Sequence, residues 1–141
     1  MAPGNTTTGA VLEQMILPAL ERGGYSYQKQ ARIGVRPGGR KHVIDVLATS
    51  SQGRKYLISL KWQQVPGTAE QKVPFEVMCL VEAIRSTAGT YDRAYLVLGG
   101  DGWGLREFYV SGGLGKYLAY EDAVSIITLE SFIRMANQSN L

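Results

Sequence analysis

The sequence contains one cysteine and one histidine, Cys79 and His42. A single cysteine excludes a disulfide within the chain, and the two side chains together fall short of the four ligands of a structural zinc site. No apolar run approaches the roughly 18 residues that cross a bilayer, and the first residues, MAPGNTTTG, have neither the basic start nor the apolar stretch of a signal peptide. These absences predict a soluble, cytoplasmic protein.

The rest of the composition is that of a folded globular chain. Apolar residues make up 45% and charged residues 19% of the 141 positions, which excludes the low-hydrophobicity, high-charge balance of a disordered protein. A chain of this length can bury a core without disulfides or metals. The sequence has no internal repeat, low-complexity tract or linker, so we expect one domain over residues 1–141.

Acidic side chains are missing from one long stretch, because none occurs between Glu21 and Asp45. The basic side chains in that stretch include Arg32, Arg36, Arg40 and Lys41, with His42 beside them. The net charge of +3 is only mildly basic, but such clustering is typical of a surface that binds phosphate. Solvated basic turns are the alternative, and the composition leaves both open.

Hydrophobic periodicity predicts helices and strands in alternation. Apolar residues at helical spacing indicate a first helix at residues 8–22, which Pro18 is expected to kink or divide, and a second that ends near residue 87. That second helix has two candidate starts, because Thr68 fits an N-cap and Pro74 fits a first turn. Strands are predicted at residues 25–34, 42–50, 55–63, 93–100 and 123–129, with a glycine-interrupted helical stretch at 103–120 and a closing helix at 129–138.

The order of these elements is α-β-β-β-α-β-α-β-α. Short turns join the early strands into hairpins, whereas helices separate the later strands, which therefore run parallel to their neighbours. This order predicts an α/β fold in which a mixed sheet is flanked by helices.

The stretch KYLISLKWQQ, residues 55–64, places a lysine inside an otherwise apolar strand. Side chains alternate between the two faces of a strand, so one face is wholly apolar and the other carries Leu57, Ser59, Lys61 and Gln63. An isolated buried ammonium is costly to remove from water. Lys61 therefore needs a partner or a chemical purpose.

The preceding strand offers a partner, because Asp45 interrupts the apolar run of HVIDVLATS. Pairing about the turn SQGR places Asp45 opposite residue 59 or a close neighbour, and next to Lys61. Strict alternation would put Val43, Asp45 and Leu47 on one face and Ile44, Val46 and Ala48 on the other. Two interpretations stay open: an ion pair that only stabilises the fold, or a site where the carboxylate binds a divalent metal and the lysine positions a nucleophile or neutralises phosphate charge.

A strand aspartate, a short hairpin and a second strand with a lysine near its end resemble the PD-(D/E)XK nuclease superfamily. The stretches SLKWQQVPGTAEQKVPFEV and AYLVLGGDGWGLREF are also similar to small phage, restriction-like or homing nucleases of this superfamily. The resemblance covers most of the chain and implies a restriction-endonuclease-like core in a bacterial or phage-like setting. It assigns the motif aspartate to Asp45, the lysine to Lys61 and a glutamate of the first helix to Glu13.

The chain departs from the superfamily pattern at the acidic position two residues before the lysine. That position is Ser59, a poor Mg²⁺ ligand compared with a carboxylate. The proline that precedes the aspartate is also absent, at a position that the superfamily keeps loosely. Some restriction endonucleases of the superfamily have the same serine and supply a glutamate from the following helix, for which Glu70 and Glu76 are the candidates. Gln63 is a candidate for orienting water or phosphate.

The resemblance implies an Mg²⁺-dependent endonuclease, with Mn²⁺ as a substitute, that hydrolyses phosphodiester bonds of duplex DNA in a restriction or homing role. The implied metal ligands are Asp45, Glu13 and either Glu70 or Glu76. The expected DNA contacts are Arg36, Arg40, Lys41, His42 and Lys72. For His42 the alternative is a solvent-exposed histidine at the start of a strand. Because cutting both strands needs two sites, we expect a homodimer or homotetramer.

Three alternatives to this function remain at the level of the sequence. A catalytically degenerate relative would bind DNA without cutting it, with Ser59 as the sign of the lost ligand. A junction-resolving nuclease would have the same chemistry and a different substrate shape. An interaction protein of another class would keep Asp45 and Lys61 only as a buried ion pair.

Overall fold

Turn sequences and apolar alternation divide the chain into elements in the predicted order. The computed structural model describes residues 8–141. Within that range the strands are β1 (Ser26–Val35), β2 (Lys41–Thr49), β3 (Lys55–Trp62), β4 (Arg93–Gly99) and β5 (Val124–Thr128). The helices are α1 (residues 8–22), α2 (Ala69–Ser86), α3 (Arg106–Val110) and α4 (Leu129–Asn137), with a 3₁₀ turn at Gly113–Lys116. The predicted α/β order is confirmed, although the glycine-interrupted stretch forms only α3 and the 3₁₀ turn.

The five strands of the described residues form one mixed sheet in the order β1-β2-β3-β4-β5. β1, β2 and β3 are antiparallel, because the turns at residues 36–40 and 50–54 are too short for a crossover. β3, β4 and β5 are parallel, because α2 and α3 connect them. The strand that carries Lys61 therefore lies at the centre of the sheet, beside the strand that carries Asp45.

Each face of the sheet is covered by its own apolar cluster. The cluster below α2 includes Leu57, Val73, Val77, Leu80 and Leu96. The cluster on the opposite face, below α1 and α4, includes Ile16, Leu20, Tyr56, Ile58, Leu60, Val97 and Phe132. The predicted alternation of β3 is confirmed, and its polar positions lie on the α2 face.

Helix α1 passes through Pro18 without dividing. Proline lacks an N–H, and its ring crowds the carbonyl four residues earlier. The turn just before it, Leu12–Ile16, is π-helical, and the Leu17 N–H reaches back five residues to the Leu12 carbonyl. This wider turn makes room for the proline ring. The helix therefore continues past Pro18 and is not divided there.

Helix α2 begins at Ala69, after Thr68, and so contains Pro74 in its interior. Pro74 cannot donate to the carbonyl of Glu70, four residues earlier. That carbonyl accepts the Tyr109 hydroxyl instead, at 2.7 Å. With this substitute bond at Glu70, α2 continues through Pro74 and is 18 residues long in all. Neither α2 nor another helix of residues 8–141 is long and apolar enough to cross a membrane.

The side chains of β2 do not alternate as predicted. Ile44 packs in the cluster below α2, whereas Val46 and Ala48 pack on the opposite face. On β1, Gln30 lies between the residues that pair with Ile44 and Val46, and its φ is 50°. A residue in the left-handed region interrupts the pleat of its own strand, and β2 departs from alternation directly opposite it. The prediction that Ile44 and Val46 share a face is therefore wrong, and the change occurs at Asp45.

Candidate active site

Asp45 lies where the faces of β2 change over. Its Oδ2 accepts the backbone N–H of Leu60, on β3, at 2.7 Å. Burial raises the pKa of the Asp45 carboxyl above its ordinary value, by more than the Leu60 N–H and the Lys61 ammonium lower it. The sheet backbone thus fixes a desolvated carboxylate beside the strand that carries the lysine.

Glu76 reaches the same region from α2. It belongs to the inward stripe of the helix, at helical spacing with Val73, Val77 and Leu80, and is only 5% exposed. The hydroxyl of Ser59 donates to Glu76 Oε2 at 2.9 Å. The serine at the acidic position of the motif therefore contacts an acid that the following helix supplies.

Lys61 has a carboxylate in contact and a second one nearby. Its Nζ lies 3.8 Å from Glu76 Oε1, and its side chain is 28% exposed. Its charge also lowers the pKa of Asp45. The partly buried charge of Lys61 is therefore compensated by two carboxylates, Asp45 on β2 and Glu76 on α2.

Two carboxylates and one ammonium leave this cluster one positive charge short. Desolvated carboxylates of this kind favour a bound cation, and Mg²⁺ needs only one or two protein carboxylates because it keeps waters and accepts phosphate oxygens. Among residues 8–141 no group of three or more His, Cys, Asp or Glu side chains is placed to hold an ion. The expected three-carboxylate set is not formed, but Asp45 and Glu76 both supply carboxylate oxygens, the donors that Mg²⁺ prefers.

Glu70 and Gln63 belong to a different set of contacts. The Gln63 amide nitrogen donates to Glu70 Oε1 at 3.1 Å and to the Gly102 carbonyl at 2.8 Å, and its oxygen accepts the Ala69 N–H at 3.0 Å. Glu70 also accepts the Gly104 N–H. These bonds tie the start of α2 to the loop after β4. Both ends of the Gln63 amide and one oxygen of Glu70 are thus engaged with the loop and the start of α2, and the roles expected of these two side chains in catalysis stay predictions.

A strand aspartate, a lysine two residues after a serine, and a helix glutamate thus meet on one face of a mixed sheet. The family model of the PD-(D/E)XK nuclease superfamily domain matches residues 4–140. The chain belongs to the PD-(D/E)XK nuclease superfamily. Nucleases of this superfamily generally use divalent metals, which agrees with the donor pair described above.

Among solved structures, this chain is similar to the crystal structure of a repair endonuclease from Pyrococcus abyssi, with a TM-score of 0.42 and 15% sequence identity. The similarity covers 86% of this chain and 43% of that one, so this chain spans less than half the length of that protein. No curated protein matches the sequence.

Glu13, which the superfamily pattern assigned as a metal ligand, is paired elsewhere. Its carboxylate contacts Lys29 Nζ at 2.7 Å, and both side chains are more than half exposed. The charged side chains that act on the pKa of Asp45 are Lys61 and Glu76, without Glu13. Because Lys29 already neutralises Glu13, the structure does not bring this glutamate into the carboxylate pair.

His42 is buried rather than solvated. It is 1% exposed, because it lies on the same face of β2 as Ile44, below α2. Burial lowers the pKa of its imidazole, and neither ring nitrogen has a hydrogen-bond partner among residues 8–141. The expectation of a solvated histidine at the start of the strand is wrong, and a ring this deep has no surface to offer a DNA base.

The other basic residues expected to contact DNA are accessible. Arg40 and Lys41 are exposed and Arg36 is half-buried, all three at the turn between β1 and β2. Lys72 is exposed near the start of α2, the helix that also carries Glu76. The basic surface and the carboxylate pair therefore share structural elements.

Phe75 is a feature of this region that the sequence-based predictions missed. It is 47% exposed and lines a pocket with Arg36 and Arg40 of the β1–β2 turn. Helical spacing could have predicted its exposure, because Phe75 lies outside the inward stripe that contains Val73 and Val77.

Proposed function

We propose that this nuclease is an Mg²⁺-dependent endonuclease that hydrolyses phosphodiester bonds of duplex DNA, in a restriction or homing role. The observation that carries the proposal is the hydrogen bond from Ser59 to Glu76. It brings a carboxylate to the place where the motif lacks one. With Asp45 and Lys61, the site then has two hard oxygen donors and one cation, which supports metal-assisted phosphodiester hydrolysis.

Each side chain has its own part in this proposal. Mg²⁺ bound by Asp45 and Glu76 would polarise the scissile phosphate and make a water molecule a better nucleophile. Lys61 neutralises the charge that develops on the phosphate oxygens in the transition state. Ser59 holds the carboxylate of Glu76 toward β3, and the Leu60 N–H holds that of Asp45. Mn²⁺ is expected to replace Mg²⁺, because it accepts the same oxygen ligands.

The charge distribution supports DNA as the substrate. Arg40, Lys41 and Lys72 are exposed and available to phosphates, and Arg36 is half-buried beside them. One chain offers one pair of carboxylates, whereas cleavage of a duplex requires hydrolysis of two strands. We therefore propose that the protein acts as a homodimer or homotetramer on duplex DNA.

The proposal is tested by incubating the purified protein with plasmid DNA in Mg²⁺, in Mn²⁺ and in EDTA. We expect nicking or cutting in either metal and none in EDTA. Asp45→Ala and Lys61→Ala are expected to abolish cleavage while the circular dichroism spectrum is retained. Glu82→Ala, which removes an exposed carboxylate from α2, is the matched control and is expected to cleave like the wild type.

Other outcomes of this experiment favour the alternatives. Salt-dependent binding of duplex DNA without cleavage in any metal would identify a catalytically degenerate relative. Cleavage of a four-way junction in preference to linear duplex would identify a junction-resolving nuclease. Cleavage that persists in EDTA, or in Asp45→Ala, would contradict the proposed metal site.

A further inference from the structure

A pocket lies between the turn that joins β1 to β2 and the side of α2. Its volume is about 340 Å³, and it is lined by Arg36, Pro37, Gly38, Arg40 and Phe75. This volume falls within the roughly 300–1,000 Å³ that small-ligand sites occupy. No acidic residue is among those that line it. The pocket therefore combines two cations with one flat apolar wall.

The apolar wall is the ring of Phe75, which is 47% exposed. A ring exposed to this extent offers a face on which another planar group can stack. Phe75 directly precedes Glu76 in α2, and Glu76 contacts Ser59 and Lys61. The pocket and the candidate active site therefore share helix α2.

Arg36 and Arg40 supply the positive charge of this pocket. Both side chains line it, Arg36 half-buried and Arg40 exposed. The planar guanidinium is suited to phosphate oxygens, because it can donate two parallel hydrogen bonds to them.

We propose that this pocket binds an unpaired nucleotide of the DNA substrate, with the base stacked on Phe75 and the flanking phosphates on Arg36 and Arg40. Bases inside a duplex stack on each other, so only a nucleotide outside the stack can present its face to an aromatic ring. The inference rests on the proposed function and narrows its substrate class. The preferred substrate is duplex DNA that contains an unpaired nucleotide near the scissile bond.

The test uses the full chain in EDTA with two DNA duplexes, one with a bulged 2-aminopurine nucleotide and one with the same base paired. Fluorescence anisotropy measures affinity, and quenching of the 2-aminopurine reports stacking. We expect tighter binding and quenching with the bulged duplex. Phe75→Leu keeps an apolar side chain without a ring, and we expect it to weaken bulge binding by at least about fivefold and to remove the quenching.

Two variants serve as controls for this test. Phe75→Trp keeps an aromatic surface and is expected to retain both the affinity and the quenching. Tyr117→Ala removes a ring that is 72% exposed and does not line the pocket, and it is expected to bind like the wild type. Equal binding of the bulged and paired duplexes would overturn the proposal. So would a Phe75→Leu variant with wild-type affinity and quenching, or one whose only change is loss of self-association.

This inference and the proposed function fail in different ways. If the wild type binds the bulged duplex through Phe75 but cleaves no DNA in Mg²⁺ or Mn²⁺, the nuclease mechanism is overturned and the pocket is supported. If it cleaves paired and bulged duplexes equally well and Phe75→Leu does the same, the pocket is overturned and the nuclease mechanism is supported.

Discussion

Lys61 occupies a central strand because two carboxylates offset the cost of removing its charge from water. Breaking a buried ion pair on one side leaves the remaining charge without compensation, which is more harmful than the loss of the contact itself. Here the remaining charges would be two carboxylates, Asp45 and Glu76. The lysine therefore has a structural role before any metal or DNA is bound.

Lys61→Met tests that structural role. In EDTA we expect the free energy of unfolding to fall by about 1–3 kcal/mol, because the carboxylates lose their cation and the 28% exposure of Lys61 softens the effect. Mg²⁺ is expected to restore part of the loss, since a bound cation takes over the compensation. Urea denaturation with and without Mg²⁺ measures both effects.

The matched control for that variant is Lys72→Met on the exposed start of α2, with an expected change within about 0.5 kcal/mol. If Lys61→Met is as stable as the wild type in EDTA, the two carboxylates do not depend on the lysine, and the charge argument is wrong.

At the scale of the elements, α2 is held by a contact that replaces a missing backbone bond. The Glu70 carbonyl would normally accept the N–H of the residue at position 74, which is a proline, and it accepts the Tyr109 hydroxyl instead. The start of α2 is also tied to the loop after β4 through Gln63. The helix that carries Glu76 therefore depends on α3 and on that loop for its position.

A double-mutant cycle tests this dependence. Tyr109→Phe is expected to lower the free energy of unfolding by about 1–2 kcal/mol, because it leaves the Glu70 carbonyl without a donor. In a Pro74→Ala background the same change is expected to cost less, since the introduced alanine supplies the missing N–H. Thermal unfolding of the four proteins gives the coupling energy, and a strictly additive result would contradict the proposed exchange of bonds.

The regular elements were predictable from the sequence, whereas the irregular ones that shape the site were not. β3 alternates without interruption, so the pattern placed Ser59 and Lys61 on one face correctly. The side chains of β2 change faces at Asp45, opposite Gln30 of β1, whose φ is 50°. Glutamine rarely adopts a positive φ, so nothing in the sequence predicts this irregularity. His42 is buried on the same face as Ile44, as alternation from Ile44 would place it, so the sequence did carry a signal for its burial.

The choice between the two candidate glutamates also lay beyond the sequence. Glu70 and Glu76 are both close to the inward stripe of α2, so helical periodicity alone favours neither. The structure separates them by their partners, because Gln63 and Gly104 engage Glu70 while Ser59 and Lys61 engage Glu76. These partners depend on tertiary packing of β3 and of the loop after β4.

At the scale of the whole molecule, the proposed site, one in the described part of each chain, bears on how a duplex is cut. Two antiparallel strands present their scissile bonds in opposite orientations, so a symmetric pair of chains suits them. With the inactive Asp45→Ala protein, we expect sedimentation velocity to show an even number of chains on each duplex. One chain per duplex, together with double-strand cutting by the wild type, would contradict the oligomer proposal.

The most direct test of the account compares the single-turnover cleavage rates of Glu76→Gln and Glu70→Gln at saturating Mg²⁺. Glu76→Gln is expected to lose at least about 100-fold, because a metal ligand contributes several kcal/mol to the transition state. Glu70→Gln is expected to stay within about tenfold of the wild type, because it keeps an oxygen that accepts the Gly104 N–H. The reverse order of the two rates, or wild-type cleavage by Glu76→Gln, would contradict the assignment of Glu76 as the acid that replaces Ser59.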